Sequence, residues 1–112
     1  MLIRFDGKKV IVAGAARGIG RAIARAFAAD GADVIACDRL VAEIETGERI
    51  KALSVDVTDA ASIDKVVAAA GGRVDVLAYV AGGVLGQVPK PLEQVTPDEF
   101  AGIVEANLKG CF

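Results

Sequence analysis

Three glycines determine the chemistry this chain can do. In Gly14-Ala15-Ala16-Arg17-Gly18-Ile19-Gly20 they stand at a spacing of Gly-x3-Gly-x-Gly, after a short β-branched run and before a helical period. A pyrophosphate binds against bare backbone N–H groups at a helix N-terminus, and a side chain in the way blocks it. Gly14 permits the tight turn, Gly18 the close approach of the ligand, and Gly20 the packing of helix against strand. Glycines also serve plain turns. Here the strand before, the helix after and an acid at the end of the second strand favour a dinucleotide over that structural role. The acid is Asp38, 18 residues after Gly20. At that place a carboxylate accepts hydrogen bonds from the adenosine ribose hydroxyls and repels a 2′-phosphate. Two unit charges about 4 Å apart, at an effective dielectric of about 20, interact by about 4 kcal/mol, an upper bound for an open cleft. Even a fraction of that discriminates about tenfold. A P-loop is excluded, because no Lys followed by Ser or Thr comes after Gly18.

Other chemistries are excluded by what the chain lacks. It has no histidine, which removes Ser-His-Asp and Cys-His triads and the commonest transition-metal ligand. Cys37 and Cys111 match no metal spacing and read as free thiols of a reducing compartment. The net charge of −2 comes from 13 basic and 15 acidic residues scattered along the chain, so there is no basic patch for nucleic acid or an anionic membrane. The N-terminal residues lack the apolar core of a signal peptide. The longest uncharged run, residues 76–89, is too short to span a bilayer. The expectation is a cytoplasmic protein with no metal, no nucleic-acid partner and no membrane partner.

The elements that must position these residues follow from the alternation of short apolar runs with helical periods, the rhythm of βαβ units. Strands are predicted at residues 9–13, 33–37, 50–55 and 74–80. The first helix follows the glycine turn, places Ile19, Ile23, Ala26 and Phe27 on one face and stops at Gly31. Residues 40–46 allow only a short or irregular helix. The second helix buries Ile63, Val66, Val67 and Ala70 and ends at Gly71-Gly72, with Thr58 or Asp59 as its N-cap. A glycine- and proline-bearing loop then leads to Thr96-Pro97-Asp98-Glu99, a capping box with proline in the first turn. The last helix carries Phe100, Ile103, Val104, Asn107 and Leu108 on one face. Apolar residues make up 54% of the chain, as a sheet covered on both faces requires. Right-handed crossovers give an α/β fold, a doubly wound parallel sheet of the Rossmann type, with strand order 3-2-1-4 for the part present. The 112 residues form one dinucleotide-binding domain, unfinished at its C-terminal end. Strand 4 would be its apolar edge.

The glycine spacing, Asp56-Val57 after the third strand and Ala81-Gly82 after the fourth come in the order and spacing of the short-chain dehydrogenase/reductase family, which the whole chain resembles. Ala13 replaces the threonine that usually precedes the first glycine. The resemblance implies that Gly14, Arg17, Gly18, Ile19, Gly20, Asp38, Arg39, Asp56, Val57, Ala81 and Gly82 hold an NAD-type cofactor. Asp56-Val57 matches the pair that contacts adenine, although it also reads as a plain helix-entry turn. Arg17 and Arg39 stand near positions where NADP-using relatives grip the 2′-phosphate. Asp38 argues for NAD over NADP. Tyr79-Val80-Ala81-Gly82 keeps the glycine turn of the family's Asn-Asn-Ala-Gly but has neither asparagine, and Tyr79 reads as a packed aromatic with its hydroxyl bonded. Asn107, in Asn107-Leu108-Lys109-Gly110, matches the family's catalytic asparagine, which supports a water-linked proton relay. Its bland alternative is an amide at a helix interface.

The reaction implied is reversible hydride transfer between a nicotinamide and an alcohol or carbonyl substrate. In the family a tyrosine, with a lysine four residues on and a serine, handles the proton. Tyr79 is followed four residues later by Gly83, while Ser54 and Ser62 lie in a strand and a helix. The expectation is that the serine, tyrosine and lysine lie beyond Phe112, so that this is the N-terminal portion of an enzyme, inactive by itself. The family also implies a homodimer or homotetramer through the helix at 97–112. Two other readings are a non-catalytic nucleotide-binding module and a methyltransferase. The glycine spacing counts against the methyltransferase, which has no pyrophosphate to cradle.

Overall fold

The computed structural model describes residues 3–83 and 86–112. Residues 1 and 2 of the N-terminal segment, and residues 84 and 85 of the loop after the fourth strand, lie outside the described residues. The four strands are Lys9–Ala13 (β1), Asp33–Asp38 (β2), Ile50–Ser54 (β3) and Val76–Tyr79 (β4). They form one parallel sheet in the order β3-β2-β1-β4, as the sequence predicts. In register, Ala13 at the end of β1 lies beside Cys37 of β2 and Tyr79 of β4. The ends of β3 and β4 are shorter than predicted, although backbone bonding runs on past them. The Asp75 N–H donates to Lys9 O at 2.9 Å, Val80 to Ala13 at 2.8 Å and Val55 to Asp38 at 3.1 Å.

Side chains alternate across the sheet, so each strand feeds two cores. Val10, Val12, Val34 and Ala36 pack on one face with Ala24, Ile23 and Phe27 of the helix Gly18–Ala29 (α1). The Phe5 ring meets Phe27 edge-on, with centroids 5.0 Å apart. Ile11, Ala13, Ile35 and Cys37 pack on the other face with Ile63, Val66, Val67 and Ala70, from the helix Ala60–Ala69 (α2) and its C-cap. Asp59 is the N-cap of α2, accepting from Ala61 N at 3.1 Å.

Two helix faces differ from expectation. Along α1, Gly20 and Ala24 are buried, whereas Ala26 is exposed and Ile19 is 72% exposed. A Cβ on Gly20 would be driven into the Gly14 carbonyl. The missing side chain therefore lets α1 sit against the turn at Gly20, which rotates Ile19 outward. The last helix, Pro97–Val104 (α3), begins with the predicted capping box, but gives way over Glu105–Lys109 to a wide turn closed by Gly110 N to Glu105 O at 2.9 Å. This π-type turn inserts a residue into the helical repeat and breaks the predicted stripe. Ala106 is buried, Ile103 and Val104 are half-buried, Phe100 and Leu108 are exposed, and Asn107 is exposed with its amide turned to the loop after β4. No helix among the described residues is long and apolar enough to cross a membrane.

The two thiols occupy opposite environments. Cys37 is buried, donates to Val12 O at 3.5 Å, and burial pushes its pKa up to about 12; Cys111 is exposed. The thiolate is the reactive form. Titration of the native protein at pH 8 with an aromatic disulfide should consume one thiol rapidly, and a second only after denaturant is added. Rapid reaction of both thiols in the native state would contradict this packing.

Candidate functional site

The C-terminal ends of β1, β2, β3 and β4 open onto a groove of about 420 Å³. Of the sequence-predicted residues, Gly14, Arg17, Asp38, Arg39, Asp56, Val57, Ala81 and Gly82 line it. The parallel topology brings them together, since every strand of such a sheet delivers its last residue to the same edge.

Gly14 sits where β1 meets the turn, at φ +87°. A Cβ there would lie 2.5 Å from Ala81 N and 2.8 Å from Val80 C, so the turn and the end of β4 touch through Gly14. The Gly14 N–H donates to Cys37 O at 2.9 Å, which fixes the turn to β2 as well. Gly18 differs. Its φ is +50°, and a Cβ built on it meets nothing within 4 Å. The space that a ligand's close approach would need is therefore open. Helix α1 starts at Gly18 with Arg17 as N-cap, and no side chain caps it. The first-turn N–H groups of a helix have no intrahelical acceptor, so Gly18, Ile19 and Gly20 offer donors at the positive end of the α1 dipole. Ile19 contributes its backbone here, while its side chain points away from the core.

Asp38 closes β2 and reaches both ways. One carboxylate oxygen accepts from Ala16 N at 3.1 Å and the other from Leu40 N at 3.0 Å. Each oxygen keeps a lone pair for a further donor. Asp56 spends one oxygen locally, accepting from the Thr58 N–H at 2.9 Å and the Thr58 hydroxyl at 2.6 Å, and these bonds hold its carboxyl below the usual range.

Asn107 stands apart from the groove lining. Its Nδ2 donates to Gly83 O and to Ile103 O, both at 2.9 Å, and its Oδ1 accepts from Gly83 N at 3.0 Å. The amide thus pairs with the Gly83 peptide as another backbone would, joining the wide turn after α3 to the loop after β4. The Tyr79 hydroxyl donates to Ala106 O at 2.5 Å, and burial raises its pKa. That phenol is committed to structure.

The sequence reading missed one feature beside the groove. The Arg17 guanidinium makes a two-pronged pair with Glu43, Nε to Oε2 at 2.6 Å and Nη2 to Oε1 at 3.0 Å. These bonds raise the arginine pKa and lower that of the glutamate. The arginines at 17, 21 and 25, one helical turn apart, and the acids at 43 and 45 are the signal that could have found it.

Comparison with known proteins agrees with this geometry. The profile of the short chain dehydrogenase family matches residues 8–112. Galactitol 2-dehydrogenase of Agrobacterium fabrum is 38% identical, over 96% of this chain and 44% of its own length. The 3-oxoacyl-[acyl-carrier-protein] reductase of Escherichia coli is also 38% identical, over 98% of this chain and 47% of its own. A solved chain from Sinorhizobium meliloti, described as a short-chain alcohol dehydrogenase, superposes with a TM-score of 0.84 at 34% identity, covering 100% of this chain and 48% of that one. The chain thus spans somewhat under half the length of these relatives. With the family profile along nearly its whole length, and the fold and glycine turn to match, this chain belongs to the short-chain dehydrogenases.

Proposed function

We propose that this chain is the cofactor-binding portion of an NAD-dependent oxidoreductase that moves a hydride between the nicotinamide and an alcohol or carbonyl substrate. The observation that carries the proposal is the N-terminus of α1, without a side-chain cap and bare at Gly18, whose N-cap residue Arg17 lines one groove with Asp38; Gly18, Ile19 and Gly20 themselves lie beside that lining. The residues suit a dinucleotide. The first-turn N–H groups of α1 receive the pyrophosphate, Asp38 receives the ribose hydroxyls through its spare lone pairs, and Asp56 and Val57 bound the adenine end. Ala81 and Gly82 bound the groove at the end of β4, where the absence of bulky side chains leaves room for a ring. When bound, the cofactor supplies or accepts the hydride. Asn107 holds the Gly83 peptide, which makes it a positioning residue for that end of the groove and a candidate support for the proton path. Two relatives are named for the opposite directions of the alcohol–carbonyl couple, in keeping with an alcohol or carbonyl substrate. Unpaired Cys37 and Cys111 suit a cytoplasmic setting.

NAD rather than NADP is the proposed cofactor, because the Asp38 carboxylate would face a 2′-phosphate at short range. Asp38→Ser should improve the binding of NADP relative to NAD by about tenfold. Titration of both dinucleotides against the wild type and the variant tests this. A wild type that already prefers NADP would reverse the assignment.

A further inference from the structure

Glu43 ends a 3₁₀ turn, Val41–Glu43; two arginines, Arg17 at the N-cap of α1 and Arg21 within it, tie it to that helix, and a third, Arg25, ties the residues that follow. Arg17 forms the two-pronged pair with the Glu43 carboxylate. One helical turn on, Arg21 Nη2 bridges Ala16 O at 2.5 Å and Glu43 O at 3.0 Å, fixing the backbone that carries that carboxylate. A further turn on, Arg25 pairs with Glu45, with Nε to Oε2 at 2.8 Å. The Glu43 carboxylate is therefore held on a pinned backbone, unlike an ordinary surface acid with a free side chain.

The consequence falls on the groove. Arg17 and Arg39 are the cations beside Asp38 along its lining. A phosphate on the adenosine ribose would need such a fork-shaped donor, and the Nε–Nη2 edge of Arg17 is already taken by the Glu43 carboxylate, which also neutralises its charge. We propose that Glu43 is a second specificity-determining residue, which withholds Arg17 from a 2′-phosphate and so reinforces the selection of a dinucleotide with a free 2′-hydroxyl. This rests on the reading of the groove as a dinucleotide site.

The test is a set of binding titrations, by calorimetry or nucleotide fluorescence, of NADPH and NADH against the wild type and three variants. Glu43→Gln should raise NADPH affinity relative to NADH by about tenfold, the scale of one charge-assisted bond to phosphate in an open groove. Glu45→Gln removes the same charge from the same segment but releases Arg25, which does not line the groove, and should shift the ratio by less than about twofold. The double variant Arg17→Gln/Glu43→Gln should return the ratio to near the wild-type value, because the gain acts through Arg17. An unchanged ratio in Glu43→Gln, with NADH binding retained, would overturn the role of Glu43 and leave the dinucleotide site standing. An equal shift in Glu45→Gln, or a gain that survives removal of Arg17, would reduce the effect to general surface charge and overturn it also. Failure of every protein to bind either nucleotide would remove the proposed site itself, and this inference with it.

Discussion

Gly18→Leu is expected to abolish NADH binding while the protein stays folded, and Gly14→Val is expected to unfold the site itself. Both glycines belong to one turn, and both have positive φ, but their surroundings differ. At Gly18 nothing lies within 4 Å of an added Cβ, so a side chain can leave the backbone there without a clash. Its cost to stability is that of a side chain in the left-handed region, about 1–2 kcal/mol. Its cost to binding is larger, because the side chain fills the space in front of the α1 N–H groups. Losing two charge-assisted bonds to a pyrophosphate, at about 1.5 kcal/mol each, weakens binding about a hundredfold. At Gly14 the added atoms would collide with the backbone of Val80 and Ala81, at 2.8 and 2.5 Å, with φ at +87°. Backbone strain and overpacking at about 1–3 kcal/mol each remove a large share of the 5–15 kcal/mol that typically holds a domain together. Thermal or urea unfolding with an NADH titration separates the two cases. A Gly18→Leu protein that bound NADH at wild-type strength would sink the pyrophosphate assignment. A Gly14→Val protein of unchanged stability would contradict the contact between the turn and β4.

The 112-residue polypeptide, assayed by itself with NAD and a panel of secondary alcohols, should show no measurable turnover and should associate in light scattering. Its one tyrosine is Tyr79. That hydroxyl is donated to Ala106 O, its pKa is raised by burial, and it has no lysine beside it in sequence to lower it again. General acid–base help contributes about 10²–10⁴ in rate, and Tyr79 is not among the described residues that line the groove. Association follows from the apolar surface left on α3 and the loop before it. Phe100 is 65% exposed and Leu92 84%, and beyond α3 Leu108 is 68% exposed. β4 pairs only with β1 among the described residues, and Leu77 is half exposed on it. An unpaired apolar strand edge is a template for further pairing, and a second copy of the chain through α3 is the proposed partner in a longer protein. Measurable turnover by a clean monomer would refute both expectations. A monomer that bound NAD without turnover would favour a binding module instead.

The sequence by itself determined the sheet, its strand order and the place of the turn. Continuous apolar runs in Lys9–Ala13 and Asp33–Asp38 specify strands buried on both faces, and right-handed crossovers allow few arrangements of four such strands. The placing of Gly14, Gly18 and Gly20 in the turn and of Asp38 at the end of β2 was legible for the same reason, since residue type at a spacing fixes local structure. What the sequence left open depended on contacts between distant segments. That Gly14 touches Ala81 while Gly18 faces open space is set by the docking of β4 beside β1. The wide turn at Glu105–Lys109, which carries Asn107 to the Gly83 peptide, breaks a helical period that the sequence alone continues. The Arg17–Glu43 pair joins residues 26 positions apart in the chain. Local propensity carries no information about such a pair, and only the packing of α1 against the segment after β2 brings the two charges within bonding distance.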